Sequence, residues 1–146
     1  MGTCYIEKSG INKKISFRCT YEVKDIDNDI QIINNTNGKY INDEIKEKIT
    51  ILNNGQKENL EMKKKFDSKG KKIIDFIIEK KLNNMSYMLY KCSTLKSIDF
   101  IYFETDQVSN MYSMFYECSE LEYLDLSNFN TSKVTDMSWM FLDVLK

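Results

Sequence analysis

Asp99 and Asp125 lie 26 residues apart at matching places in two similar stretches, "MSYMLYKCSTLKSIDFIYFETDQV" and "MYSMFYECSELEYLDLSNFNTSKV". Two carboxylates about 5 Å apart are the machinery of a retaining glycosidase, one as nucleophile and one as general acid. Stacked strands about 4.8 Å apart would bring this pair to that spacing. A shallow face of two such rungs has no cleft to enclose a sugar or raise an acid's pKa. The pair therefore reads as consensus residues, hydrogen-bonded to neighbouring Ser or backbone groups on a contact surface. Other catalytic classes lack parts. The chain has no histidine, which removes Ser-His-Asp and Cys-His catalysis and the H-E-x-x-H metal motif. Its five glycines are scattered and build neither a P-loop nor a dinucleotide fingerprint. The four cysteines, Cys4, Cys19, Cys92 and Cys118, have no C-x-x-C spacing and read as buried free thiols. No metal, cofactor or catalytic residue is expected.

Composition bounds the partners. The 146 residues are 42% hydrophobic, and 21 basic against 22 acidic side chains leave a net charge of -1. Nothing in that balance supplies the basic surface that nucleic acid demands. The run Lys63, Lys64, Lys65 reads as a solvated strand end. No segment reaches the roughly 18 apolar residues of a membrane helix, and "MGTCYIEKSGINKK" has no apolar stretch of signal-peptide length. Gly2 is followed by Ile6 where a myristoylation motif wants Ser or Thr. By sequence the chain is cytoplasmic and is not inserted in a membrane. Sequons at Asn34, Asn84 and Asn130 matter only in a secretory pathway.

The elements that must position these residues change character near Lys81. Upstream, "KISFRCTYEV" sets Ile15, Phe17, Cys19, Tyr21 and Val23 on one face and Ser16, Arg18, Thr20 and Glu22 on the other, the period of a half-buried strand. "IQII" reads as a second strand, and "EIKEKITIL" as a brief helical turn running into a third. Asn54-Gly55 predicts a type I′ hairpin joining "KITIL" to "NLEMKKKF". "KKIIDFIIEKK" suits a buried strand through Ile73, Ile74, Phe76, Ile77 and Ile78. Residues 1–81 are thus expected to form a β-rich domain of about five strands, a small antiparallel sandwich or grasp-like sheet.

From residue 82 to 146 the chain repeats. Leu82–Gln107 aligns without a gap on Val108–Lys133, matching Met85/Met111, Met88/Met114, Cys92/Cys118, Leu95/Leu121, Asp99/Asp125 and Phe103/Phe129. A third unit starts at Val134, Met137, Met140 and Phe141 in the same register. Met111, Met114, Phe115 and Cys118 fall at i, i+3, i+4 and i+7, which predicts a short helix with Ser109 as N-cap. "LEYLDL" predicts a short strand burying Leu124 and Leu126. Fixed-period similarity of this kind predicts two and a half units of a leucine-rich-repeat-like solenoid with a 26-residue period, and so an α+β chain. Exposed places such as Lys91/Glu117 and Lys96/Glu122 reverse charge between copies.

The stretch "FETDQVSNMYSMFYECSELEYLDLSNFNTSKVTDMSWMF" resembles the repeat of BspA-like leucine-rich repeat surface proteins, roughly F-x-T-x-x-V-x-x-M-x-x-M-F-x-x-C-x-x-L-x-x-L-D-L-S. The likeness departs in the first unit, with Leu89 for Phe and "IDFIYF" for "LDLSNF", and again at Val144, which stands at the Cys position. It implies a cell-surface, non-catalytic protein-binding or adhesion role with a protein ligand; an intracellular scaffold is the alternative. In such a coil the outward-pointing residues are Ser97, Asp99 and Ile101 above Tyr123, Asp125 and Ser127, the candidate binding face. Met137, Trp139, Met140, Phe141 and Leu145 are expected as an apolar stripe at an open end, available to self-association or to further repeats.

Overall fold

Alternation at residues 17–23 builds the centre of the molecule. In the computed structural model, which describes residues 15–34, 39 and 42–144, this stretch is strand β1 (Phe17–Val23). Phe17, Cys19, Tyr21 and Val23 are buried to within 1% while Arg18, Thr20 and Glu22 face outward. Next come β2 (Ile30–Gln31), α1 (Asp43–Lys48), β3 (Ile49–Asn53), β4 (Gln56–Glu58), β5 (Lys63–Lys64), β6 (Gly70–Ile78) and β7 (Leu95–Phe100). Five strands form one antiparallel sheet in the order β4-β3-β6-β1-β7, and β2 pairs with β5. The β3–β4 hairpin turns at Asn54-Gly55, whose φ values of 48° and 79° are those a type I′ turn requires; its return strand is Gln56–Glu58 and not the expected "NLEMKKKF", because a two-residue loop sets Asn53 directly against Gln56. Strand β7 comes from the first repeat unit and hydrogen-bonds β1, so the sheet draws strands from both sides of residue 81.

The expected α+β class with a leucine-rich-repeat-like solenoid is overturned. The six-residue α1 is the one helix among the described residues, the strands are antiparallel, and residues 101–144 contain neither helix nor strand. The predicted helix over 109–118 is replaced by consecutive tight turns. Its stripe is nonetheless buried, since Met111, Met114, Phe115 and Cys118 are all 0% exposed. The reason lies in where the backbone N–H groups go. Those of Met88, Tyr90 and Cys92 close local turns onto Met85, Tyr87 and Leu89. Those of Met85, Tyr87, Leu89 and Lys91 instead cross to the carbonyls of Asn110, Tyr112, Met114 and Tyr116, at 2.7–2.9 Å. Every second donor is thus spent on the next copy, and a helix cannot form. Positive φ at Tyr87, Ser113 and Trp139, and again at Lys91, Glu117 and Asp143, repeats this left-handed break in all three copies.

Each turn opens on an Asx motif. Asn84, Asn110 and Asp136 accept the N–H two residues on, from Ser86, Tyr112 and Ser138. These side chains satisfy first-turn N–H groups that a helix would also leave free, so they cap each turn, and Ser109, the expected N-cap, instead donates to the Asn83 carbonyl. The predicted strand over Leu121–Leu126 fails for a related reason. It meets β7 around the parallel Ser97↔Tyr123 bridge, where the Glu122 N–H donates to the Lys96 carbonyl at 2.9 Å, and beyond it Asp125 captures the Ser127 N–H at 2.9 Å. Leu124 and Leu126 consequently stay half-buried.

The charge reversals between copies have a structural reason. Lys91 pairs with Glu117 at 3.3 Å and Lys96 with Glu122 at 3.4 Å, so equivalent positions of adjacent turns carry opposite signs because they face each other. Exposed pairs of this kind contribute at most about 1 kcal/mol each. Aromatic columns add to the stacking, Tyr90 on Tyr116 at 4.9 Å and Phe103 on Phe129 at 5.3 Å. One apolar cluster runs from Phe17 through the turns to Met140.

Three thiols lie inside this cluster. Cys19, Cys92 and Cys118 are buried and unoxidised, whereas Cys4 lies outside the described residues. Burial pushes the Cys118 thiol up to about 12 and those of Cys19 and Cys92 upward as well. In a Cys4→Ser background at pH 8, the native protein should react with a thiol-specific disulfide at least about a hundredfold more slowly than the urea-unfolded chain. Stoichiometric fast labelling of the native form would contradict the buried cluster.

Candidate binding face

The outward residues of β1 set the site. Arg18 donates to Asp75 of β6 in a bidentate pair, at 2.6 and 2.9 Å, and stands opposite Asp99 of β7 in the strand register. Thr20 stands between Ile73 and Ser97. The fork geometry holds the guanidinium flat on a five-stranded support, which makes this a rigid surface.

Every residue of the expected face falls within the described part. Asp99, Asp125 and Ser127 are exposed, Ser97 is half-buried, Ile101 is 45% exposed and Tyr123 is 66% exposed. Asp99, Ile101, Tyr123 and Asp125 line one open concavity of about 350 Å³, floored by Phe100, Phe103 and Phe129. Ser97 reaches Tyr123 through the parallel bridge but does not line that concavity. The three phenylalanines pack within 4.5–5.3 Å of one another, so the floor is stiff.

The backbone N–H of Ser127 holds the Asp125 carboxyl below the usual carboxylate range, the opposite of the raised acid that glycoside hydrolysis needs. Among the described residues no group of three His, Cys, Asp or Glu side chains converges on a point where a metal could be held.

The face extends further than sequence reasoning placed it. Ile73, expected inside a buried strand, is 61% exposed, because residue 73 falls in the outward set of β6 with Lys71 and Asp75. A run of β-branched residues hides which set faces out, although the alternation of β1 already placed its partner Thr20 outside. At the far end of the stack, Met137, Trp139 and Phe141 are 49%, 58% and 51% exposed, as a stripe requires. Met140 departs from that expectation: it turns inward and is 2% exposed, because its carbonyl and side chain belong to the packed turn against Phe115. Leu142 joins the stripe in its place, and Leu145 lies outside the described residues.

Two asparagines that the sequence did not mark as caps close the opposite end. Asn42, 3% exposed, uses both hydrogens of its amide on the carbonyls of Asn84 and Ser86, at 3.1 and 2.8 Å. The Asn34 backbone N–H donates to Met88 at 2.8 Å, and its side chain to Tyr87. Asn84, Ser86 and Met88 are the counterparts of the Asn110, Tyr112 and Met114 carbonyls that accept from the first turn. The two asparagines therefore replace the donors of a preceding copy.

No helix among the described residues is long and apolar enough to cross a membrane. A family model described as "Mycoplasma protein of unknown function, DUF285" matches residues 58–146, more than half of the chain and a span that includes β6 and all three turns. Neither a curated protein nor a solved structure gives a significant match.

Proposed function

We propose that this chain, which belongs to that family of unknown function, is a non-catalytic protein-binding module of the adhesin kind, working through the outward face of its sheet. The observation that carries the reading is the exposure of Tyr123, Ile73 and Ile101 on a rigid, ion-paired surface. A large amphipathic ring and two aliphatic side chains beside Asp99 and Asp125 match the usual chemistry of interface anchors ringed by polar groups. The resemblance of the repeat stretch to BspA-like surface proteins favours a ligand met at the cell surface. An open concavity with a carboxylate held ionised offers little to catalysis.

The test is photo-cross-linking. With Tyr123 replaced by p-benzoylphenylalanine, the full chain should give one saturable adduct with a protein of the surface fraction. The same group at Asp67, on an exposed loop of the same molecule, should not. Turnover of an oligosaccharide that is lost on Asp99→Asn or Asp125→Asn would sink the reading.

A further inference from the structure

The concavity of the sheet face carries a charge that no neighbouring side chain balances. Asp99 of β7 lies on one side and Asp125 of the next rung on the other, and no lysine or arginine lines the space between them. The gap exists because the second rung leaves β7 after the Ser97↔Tyr123 bridge, where Asp125 turns onto Ser127. The nearest cations in the strand register are engaged elsewhere. Arg18, opposite Asp99, is held by Asp75. Lys96, on β7 itself, pairs with Glu120 at 3.2 Å and with Glu122 at 3.4 Å. Among the described residues neither Asp99 nor Asp125 is ion-paired.

Rings complete the lining. Tyr123 presents a ring 66% exposed, and the half-buried Phe100, Phe103 and Phe129 lie below it. An aromatic face is the negative part of the ring's quadrupole, so a cation set over it is attracted by ring and carboxylate together. The phenylalanines already pack on one another, so little ordering is needed when a ligand enters.

We infer that this concavity is the socket for an arginine side chain of the protein ligand, an inference that rests on the reading of the face as a protein-binding surface. Charge and shape select the occupant. A guanidinium stacks on a ring by its flat face and keeps five N–H donors at its edge, so one group can meet the aromatic lining and both carboxylates. A lysine ammonium is a compact, strongly hydrated point charge without that planar fork. An acidic side chain would be repelled, and a neutral one would leave both carboxylates without a counter-charge. Ile101, 45% exposed, gives the apolar stem of the arginine a surface to lie along. At about 350 Å³ the concavity stands at the small end of ligand sites and suits one side chain better than a folded element.

The experiment is a nuclear magnetic resonance titration of the full chain with three blocked amino acids. These are N-acetyl-arginine methylamide, its lysine counterpart and its citrulline counterpart, which keeps the shape of arginine and loses the charge. The arginine probe should move the Tyr123 ring and the Asp99 and Asp125 amide signals saturably, at millimolar concentration. Binding should be at least about fivefold tighter than with the lysine probe, and the citrulline probe should give no saturable shift. Asp99→Asn and Asp125→Asn should each weaken the arginine probe by about threefold to tenfold at an unchanged melting temperature. Asparagine still accepts the Ser127 N–H, so the turn at residue 125 is kept.

Equal binding of the arginine and lysine probes, equal binding of the citrulline probe, or no shift at Tyr123 up to about 50 mM arginine probe would overturn the inference. The wild-type titration needs no variant, so a misfolded substitution would not blunt it. In the cross-linking assay, phenylglyoxal treatment of the surface fraction, which blocks arginines, should remove the adduct at position 123, while acetylation of its lysines should not. An adduct that survives phenylglyoxal overturns the arginine socket and leaves the protein-binding face standing. An adduct absent from the untreated fraction sinks that face, and with it the assignment of the arginine to a protein.

Discussion

Replacing Asn42 with aspartate should cost about 3–6 kcal/mol of folding stability, enough to unfold a domain of ordinary stability at neutral pH. The substitution keeps the shape and removes both donors. The Asn84 and Ser86 carbonyls lose their partners in a site 3% exposed, at about 1–3 kcal/mol each, and a carboxylate is set against them. Burial beside two carbonyl oxygens raises the folded-state pKa of the introduced carboxyl above its unfolded value. Its stabilising form is therefore the protonated one, present at low pH and lost as the pH rises through the folded pKa, so the variant should recover part of its stability near pH 4. Asn42→Ala, which leaves the carbonyls unpaired without adding charge, should cost less, about 2–4 kcal/mol, and show no such recovery. Urea denaturation followed by far-ultraviolet circular dichroism at two pH values checks both. A loss under 1 kcal/mol for Asn42→Asp would mean that the cap is ornamental.

Phe17→Ala should cost about 3–5 kcal/mol. Its ring stacks on Phe76 at 4.7 Å and meets Phe103 edge-on at 5.6 Å, so one side chain joins the central strand of the sheet to the loop of the first repeat. Removing it opens a cavity bounded by strands and turns that cannot collapse independently. Ile73→Ala on the same sheet should change stability by no more than about 0.5 kcal/mol, since that side chain is 61% exposed. The contrast separates the buried from the outward face without reference to function.

Some of this was legible from residues alone. The alternation over Ile15–Val23 predicted β1 and the outward place of Arg18, and Asn54-Gly55 predicted the turn of the hairpin though not its return strand, which is Gln56–Glu58. The 26-residue identity of Met85/Met111 and Cys92/Cys118 marked the buried positions correctly, yet it suggested the wrong backbone. An i, i+3, i+4, i+7 stripe is satisfied equally by a helix and by turns whose left-handed residues recur every fourth position, at Tyr87 and Lys91. Only the destination of alternate N–H groups tells them apart, and that depends on a neighbour 26 residues away. Asn34 and Asn42 could not be read as caps because nothing local marks them. Their partners lie 42 to 54 residues onward, and an asparagine-rich chain offers many equivalent candidates. The outward face was half visible: Tyr123 and Asp125 belonged to the repeat pattern, while Ile73 and Arg18 join them only because β7 crosses from the repeats to pair with β1.

That pairing makes one surface from two sequence regions, and the surface is the centre of the functional account. The most direct measurement is the cross-linking comparison between positions 123 and 67 in the full chain. A single saturable protein adduct at 123, abolished by Ile73→Glu and absent at 67, is the predicted result. Equal labelling at both positions, or none at 123 in any cell fraction, would contradict it.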